Sequence, residues 1–224
     1  MRRIPAILFM LLLLQPIQSH FKARYHVIVD TDGGPGDFRA ICMMLASPEI
    51  EVIAITTVDG ILSPEETANR VRELLKHFHH EGIPVGLGKS NQDISSIPEE
   101  TANIAKSLQW VKEGSRVSPG SLPGSHPGSL PGAVELILEA IELEDMPVDI
   151  ITLGPLTNLA AVLGENPGIP DQVRKVYWYN GEESKKDFNY ALDTRSARAV
   201  LRSEFPMDRV RAAGNSLENL DKFM

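Results

Sequence analysis

Short apolar runs in this chain alternate with longer segments in which apolar residues recur at helical intervals. Runs of this length that are apolar throughout are typical of buried strands in a parallel sheet. The predicted strands cover residues 26–29, 51–58, 83–87, 148–153, 176–179 and 210–213.

Helices are predicted between these strands. The apolar spacing after the first strand predicts a helix that opens at Asp37 and ends near Ser47. Ser63 is a good N-cap for the next helix, and Pro64 suits its first position. The later helices are predicted over 64–79, 98–112, 133–143, from about 156, and over 194–201.

This alternation of strands and helices defines the predicted fold class. Repeated right-handed βαβ units build a parallel sheet with helices on its faces. We therefore predict an α/β fold, Rossmann-like, with a mostly parallel open sheet flanked by helices. In such a fold the site lies at the carboxyl ends of the strands.

The first residues resemble a leader sequence. Two arginines precede an apolar run that is too short to span a bilayer, a layout typical of a secretory signal peptide. We predict a signal peptide at 1–19, one α/β domain at 20–224, and export to the periplasm or the outside. No stable membrane insertion is expected once the leader is removed.

A proline-rich repeat interrupts the domain. Residues 118–132 read SPGSLPGSHPGSLPG, and such a composition forms no core and no regular hydrogen-bond ladder. Because strands and helices resume afterwards, we predict a loop over 114–132 within one domain. A flexible insertion is favoured over a ligand-binding role.

Composition narrows the possible partners. The formal net charge is -8 and the pI is about 5.3, so nucleic acid is not expected as a partner. A small uncharged or cationic ligand fits better. The single cysteine, Cys42, excludes an intrachain disulfide framework. The sequence leaves the oligomeric state open, with a homo-oligomer as one possibility.

Three carboxylates surround the glycine-rich turn after the first strand. Asp30 and Asp32 leave an extended strand end on the same side, and the turn can fold Asp37 back towards them. Clustered carboxylates without Cys or His favour Ca²⁺ or Mg²⁺ over zinc. The alternative is that these acids only cap backbone N–H groups of a tight turn.

Several motifs together resemble one known family. They are DTDGGPGD at 30–37, ITTV at 55–58 followed by Gly60, LGPLTNLA at 153–160 and DFN at 187–189. In this order they resemble the nucleoside hydrolases of the inosine-uridine-preferring kind. The resemblance covers nearly all of the chain after the leader and implies a nucleoside hydrolase-like α/β fold.

The resemblance also implies a reaction and a set of site residues. It implies a hydrolase that cleaves the N-glycosidic bond of ribonucleosides with a water held by Ca²⁺, and a nucleoside or other ribosyl-like ligand as its small-molecule partner. Asp32 would be a metal ligand and the general base, and Asp37 a bidentate metal ligand. Leu153 would offer its backbone carbonyl to the metal. Asp187 and Asn189 would hold the sugar hydroxyls.

The chain departs from the family pattern at several places. Gly36 stands where the family has a third acid, which binds the ribose 2′ hydroxyl, and Ile61 stands where the family usually has Asn. Relatives continue into a further segment whose aspartate completes the metal site, and we expect this chain to lack it. The alternative hypothesis is therefore a catalytically impaired relative that binds a sugar or nucleoside or serves as an interaction domain.

Overall fold

Six parallel strands form one sheet in the computed structural model, which describes residues 23–90, 99–107, 130–179 and 188–210. The strands are β1 (Tyr25–Thr31), β2 (Ile50–Thr57), β3 (Val85–Gly86), β4 (Val148–Thr152), β5 (Val173–Tyr179) and β6 (Met207–Val210). Their order across the sheet is β3-β2-β1-β4-β5-β6, and every neighbouring pair is parallel.

Helices connect the strands and cover the sheet. They are α1 (Pro35–Ala46), α2 (Pro64–His77), α3 (Glu99–Lys106), α4 (Ala133–Leu143), α5 (Thr157–Glu165), α6 (Phe188–Leu192) and α7 (Thr194–Leu201), with a 3₁₀ turn at Ile169–Gln172. The predicted fold class is confirmed.

The core has two apolar layers, one on each face of the sheet. Side chains of a strand alternate between faces, and β1 shows this clearly. Val27 and Val29 pack with α1 and α2, whereas Ile28 packs with α4, α5 and α7. Burial on both faces explains why the central strands are apolar throughout.

Strand order places the candidate site. The chain moves outward from β1 through β2 to β3, and then returns to the other side of β1 to form β4. The two directions of crossover leave a crevice at the carboxyl ends of β1 and β4, the usual position of ligands in open α/β sheets.

Some predicted boundaries were displaced. The described last strand, Met207–Val210, begins before the predicted range 210–213, of which residues 211–213 lie outside the described residues. The residues that pair with β5 are mostly exposed and have no apolar pattern. Strand β3 is shorter than predicted, and β5 begins earlier, at Val173. Helix α1 begins at Pro35, since Pro suits the first helical position, so Asp37 lies in the first turn.

Two predictions concern residues that the structure does not describe. The leader at 1–19 and most of the loop at 114–132 lie outside the described ranges. Among the described helices, none combines the length and apolar character needed to span a bilayer.

Candidate active site

The carboxyl ends of two adjacent strands bring three of the predicted site residues together. Asp30 is in the last part of β1 and Asp32 directly follows it, while Leu153 directly follows β4. Leu153 N donates to Asp30 O at 2.8 Å, which continues the pairing of β1 with β4 past the last strand residue. The crevice between these strands is therefore lined by acids and backbone oxygens.

The glycine-rich turn folds Asp37 back over the end of β1. Gly33 has a φ of +80°, a conformation that glycine adopts without strain. Asp37 Oδ2 accepts hydrogen bonds from Thr31 Oγ1 at 2.8 Å and from Gly34 N at 3.3 Å. Gly34 N also donates to Asp32 Oδ1 at 3.2 Å. The turn-capping alternative thus describes part of what both carboxylates do.

Asp32 is enclosed by glycines from two other loops. A β-carbon on Gly60 would clash with the Asp32 carboxylate, and one on Gly154 would lie 2.9 Å from Asp32 Cβ. Ile61 N donates to Asp32 Oδ2 at 3.3 Å. Gly60 and Gly154 each come shortly after a predicted strand. Because the site is expected at the carboxyl ends of the strands, the sequence could have indicated that both glycines belong to it.

The carboxylates of Asp32 and Asp37 lie close together and are both buried from solvent. Asp32 is 3% exposed and Asp37 is 9% exposed. Burial, and then the charge of Asp37, raise the pKa of Asp32 well above its usual value. Burial also raises the pKa of Asp37. Among the described ion pairs, none joins a basic side chain to either acid.

Asp30 lies behind this pair and is held by a separate set of donors. Asp30 Oδ1 accepts hydrogen bonds from Thr56 Oγ1 and from Asn158 Nδ2, both at 2.8 Å. Asp30 Oδ2 is buried without a hydrogen-bond partner. Burial raises the pKa of Asp30 from 3.8 to about 7, although the two donors lower it. Sequence reasoning noted Asn158 only as part of the GPLTN motif and gave it no role.

Only one of the two predicted sugar-binding residues is described. Asp187 lies outside the described residues. Asn189, in α6, donates through Nδ2 to Leu153 O at 2.7 Å and to Tyr179 O at 3.0 Å. The structure thus brings Asn189 to the backbone carbonyl of Leu153, which is predicted to bind the metal. The role of Asn189 in binding the sugar stays a prediction.

The side chains present fit a hard divalent cation. Within the described ranges, no group of three or more His, Cys, Asp or Glu side chains is arranged to hold a metal ion. The site offers two carboxylates, Asp32 and Asp37, and the carbonyl of Leu153, and oxygen donors of this kind suit Ca²⁺ or Mg²⁺. A cation would also neutralise the mutual repulsion that raises the pKa of Asp32.

The two family departures have different surroundings. A β-carbon on Gly36 would meet no described atom within 4 Å, so a side chain fits there. Ile61 packs in a small apolar cluster with Leu62 and Phe188. The missing acid thus leaves open space, whereas the missing amide is replaced by packed hydrocarbon.

The fold and the site together define the class of this protein. It is a parallel α/β protein with a cluster of buried carboxylates at the switch point of its sheet. The particular family follows from the sequence: the profile of the inosine-uridine preferring nucleoside hydrolases matches residues 27–218, and the chain belongs to this family.

Individual relatives agree with this assignment. The pyrimidine-specific ribonucleoside hydrolase RihA of Escherichia coli O1:K1 is 28% identical over 208 residues, which cover 88% of this chain and 65% of the relative. A plant nucleoside hydrolase structure aligns with a TM-score of 0.64 and 26% identity, over 84% of this chain and 60% of its own. The purine-preferring ribonucleoside hydrolase from Gardnerella vaginalis aligns with a TM-score of 0.65 and 25% identity, over 82% of this chain and 60% of its own. The chain thus spans less than two thirds of the length of these relatives.

Proposed function

We propose that this chain is a ribonucleoside hydrolase that cleaves the N-glycosidic bond with a water held by Ca²⁺. The observation that carries the proposal is the pair of buried carboxylates, Asp32 and Asp37, at the switch point of the sheet. Membership of the nucleoside hydrolase family supports it. The relatives are named for pyrimidine and for purine substrates, so the base preference has to be measured with both.

Asp32 is proposed to take the proton from the attacking water. A general base works best when its pKa is close to the operating pH, and burial moves the pKa of Asp32 in that direction. The hydrogen bonds from Gly34 N and Ile61 N fix the orientation of its carboxylate. When bound, a divalent cation would lower the pKa of water and orient the sugar diol.

The other residues of the site would hold the cation and stabilise developing charge. Asp37 and the Leu153 carbonyl are the further oxygen ligands in this proposal. Cleavage of a glycosidic bond passes through a positively charged, oxocarbenium-like sugar, which nearby carboxylates stabilise. Asp187 and Asn189 are proposed to bind the sugar hydroxyls, as the resemblance implies.

The direct test is sugar release from a panel of purine and pyrimidine ribonucleosides. We expect release with Ca²⁺, loss of release with EDTA, and recovery when Ca²⁺ is added back. The control is Asp32→Asn, which keeps the size of the side chain. No release at high protein concentration with Ca²⁺ present would refute the proposed activity.

A gain-of-function variant tests the open space at Gly36. We expect Gly36→Asp to raise kcat/KM, because losing one hydrogen-bond partner of a transition state commonly costs about 10²-fold or more. An acid in the first turn of α1 also interacts favourably with the helix dipole. The matched control is Gly82→Asp, which adds the same charge at an exposed glycine with open space around it. Equal rates for the two variants would show that the missing acid does not limit turnover.

The packing of Ile61 supports a second candidate function. Its contact with Leu62 and Phe188 places hydrocarbon where the family pattern has a polar contact, which favours a catalytically impaired protein that binds a nucleoside or sugar. This candidate predicts thermal stabilisation by ribonucleosides without release of base. Hydrolysis that disappears in Asp32→Asn would exclude it.

We further propose that the protein is exported. The support is the arginine pair followed by the short apolar run at the start of the sequence. Expression with and without residues 1–19, followed by cell fractionation, tests this. Retention of the full chain in the cytoplasm would contradict it.

A further inference from the structure

The turn between β4 and α5 is attached to Asp30 at both of its ends. At its start, Leu153 N donates to Asp30 O at 2.8 Å. At its end, Asn158 Nδ2 donates to Asp30 Oδ1 at 2.8 Å. The carbonyl of Leu153 lies within this turn, so it cannot move relative to β1 unless one of these buried hydrogen bonds breaks.

Both side-chain amide hydrogens of Asn158 are used in this attachment. Its second hydrogen goes to Thr57 O at 2.9 Å, and the side chain is 4% exposed. Thr57 ends β2, Asp30 belongs to β1, and Asn158 lies in α5, the helix that follows β4. One side chain therefore connects the carboxyl ends of the adjacent strands β2, β1 and β4. A carboxamide suits this position because one nitrogen donates to two acceptors.

A neighbouring glycine makes room for the amide. A β-carbon on Gly88 would lie 3.2 Å from Asn158 Oδ1 and would clash with Thr57 O. Gly88 N also donates to Thr57 Oγ1 at 3.4 Å. The end of β3 is therefore shaped around Asn158, which limits the orientations of this side chain.

We propose that Asn158 is a positioning residue that, through Asp30, holds the Leu153 carbonyl in register with Asp32 and Asp37, so that the oxygens of Leu153, Asp32 and Asp37 can bind a divalent cation together. This inference rests on the proposed function, of which the cation is a part. The role proposed for Asn158 lies in its two amide hydrogens, which are both bound to protein oxygens. Side chains that orient metal ligands in this way typically change metal affinity by about 10- to 100-fold when removed.

The first test is the Ca²⁺ dissociation constant of Asn158→Ala. It is measured by titration calorimetry on the full chain, after treatment with EDTA and dialysis, at a temperature where circular dichroism shows native protein. We expect the Kd to rise about 10- to 100-fold. The matched control is Val162→Ala, which removes a fully buried apolar side chain from the same helix. Its Kd should stay within about twofold of the wild-type value, because it loses packing but no contact to Asp30.

The second test needs no metal. Hydrogen exchange of the Leu153 amide, which donates to Asp30 O, is followed in metal-free protein. We expect exchange about tenfold faster in Asn158→Ala than in Val162→Ala, since loss of a buried hydrogen bond to Asp30 frees the turn. If Asn158→Ala does not fold, Asn158→Ser carries both tests, because its single hydroxyl hydrogen cannot serve both acceptors.

The outcomes separate this inference from the proposed function. A wild-type chain that neither binds Ca²⁺ nor cleaves nucleosides refutes the proposed function, while Leu153 exchange still decides whether Asn158 positions the turn. Unchanged exchange in Asn158→Ala overturns the inference in every case. An unchanged Ca²⁺ Kd, or an equal effect of Val162→Ala, overturns it where the wild type binds the metal.

Discussion

The two ends of the sheet both bury charged side chains, but they arrange them in opposite ways. At the amino end, Asp149 in β4 pairs with Arg174 in β5, and Arg174 Nε donates to Asp149 Oδ1 at 2.7 Å. His26 in β1 lies there too, with Nδ1 at 3.0 Å from Glu144 Oε1. At this end Asp149 therefore lies beside a basic side chain and His26 beside an acidic one.

The carboxyl end instead packs acids against one another. Burial and the charge of Asp37 raise the pKa of Asp32, and burial raises the pKa of Asp30 to about 7. At the amino end the shifts have the other sign: burial raises the pKa of Glu144, but His26 beside it more than offsets this and lowers it. Paired charges stabilise a fold, whereas unpaired like charges mark a site that is completed by a ligand.

Cavity volume does not point to the candidate site. A cavity of about 710 Å³ opens at the amino end and is lined by His26, Glu51 and His80 together with aliphatic side chains. The carboxylates that carry the proposed chemistry lie at the other end of β1. The arrangement of charge, and not the volume of the space, therefore identifies the candidate site.

The largest effect is expected when one acid at each end of the sheet is replaced by asparagine and the two variants are compared. Asp32→Asn should lower kcat/KM about 10⁴-fold, because it removes both a metal ligand and the base. The metal-free variant should nevertheless be more stable than the wild type, since a repelling charge is gone. Asp149→Asn should do the reverse: it loses stability through the weakened Arg174 pair and keeps Ca²⁺ affinity. Urea denaturation and calorimetry on both variants check this. A loss of stability in metal-free Asp32→Asn would contradict the interpretation of the acidic turn.

The pH dependence of stability gives the next largest effect. In the metal-free folded protein Asp30 holds its proton up to about pH 7, whereas in the unfolded chain its pKa has the ordinary value of 3.8. Folding then takes up a proton between about pH 4 and 7, so stability is full below this window and falls as pH rises through it. A shift of about three pKa units corresponds to about 4 kcal/mol.

Urea denaturation of EDTA-treated protein across this window measures the effect. The control is Asp30→Asn, which keeps an oxygen for Thr56 and Asn158 and should make the fall smaller. The raised pKa values of Asp32 and Asp37 still contribute to the remaining fall. Saturating Ca²⁺ should restore stability most at the upper end of the window, because a cation favours ionised carboxylates. An equal fall in stability for the wild type and for Asp30→Asn without metal would contradict the prediction that Asp30 takes up a proton on folding.

The sequence predicted those parts of the structure that depend on local pattern. Strand β1 is buried on both faces, so its apolar run was a reliable signal. The return of Asp37 towards Asp32 followed from the glycines between them, which allow a tight turn at the start of α1. The family was recognised from the same residues, and its assignment is confirmed.

The sequence could not predict features that depend on strand order and long-range contact. Asn158 reaches Asp30 across 128 residues, and nothing local to either residue indicates the contact. Strand β6 begins at Met207, ahead of the predicted start at 210, and its mostly exposed residues carry no apolar run that would have indicated this start. The pairing of Asp149 with Arg174 likewise follows only from the neighbouring positions of β4 and β5.

The smallest expected effect compares two adjacent basic residues of β5. Arg174→Ala should lower the free energy of unfolding by about 3 kcal/mol, because it leaves the Asp149 carboxylate buried without its partner. Lys175→Ala should change it by at most about 0.5 kcal/mol, since the Lys175–Asp208 pair is 3.0 Å long but open to solvent. Urea denaturation of both variants measures the difference, and the Ca²⁺ Kd should be unchanged in each. Equal destabilisation would show that burial of Asp149 does not set the cost, and a weakened Ca²⁺ affinity in Arg174→Ala alone would show that the two ends of the sheet are coupled.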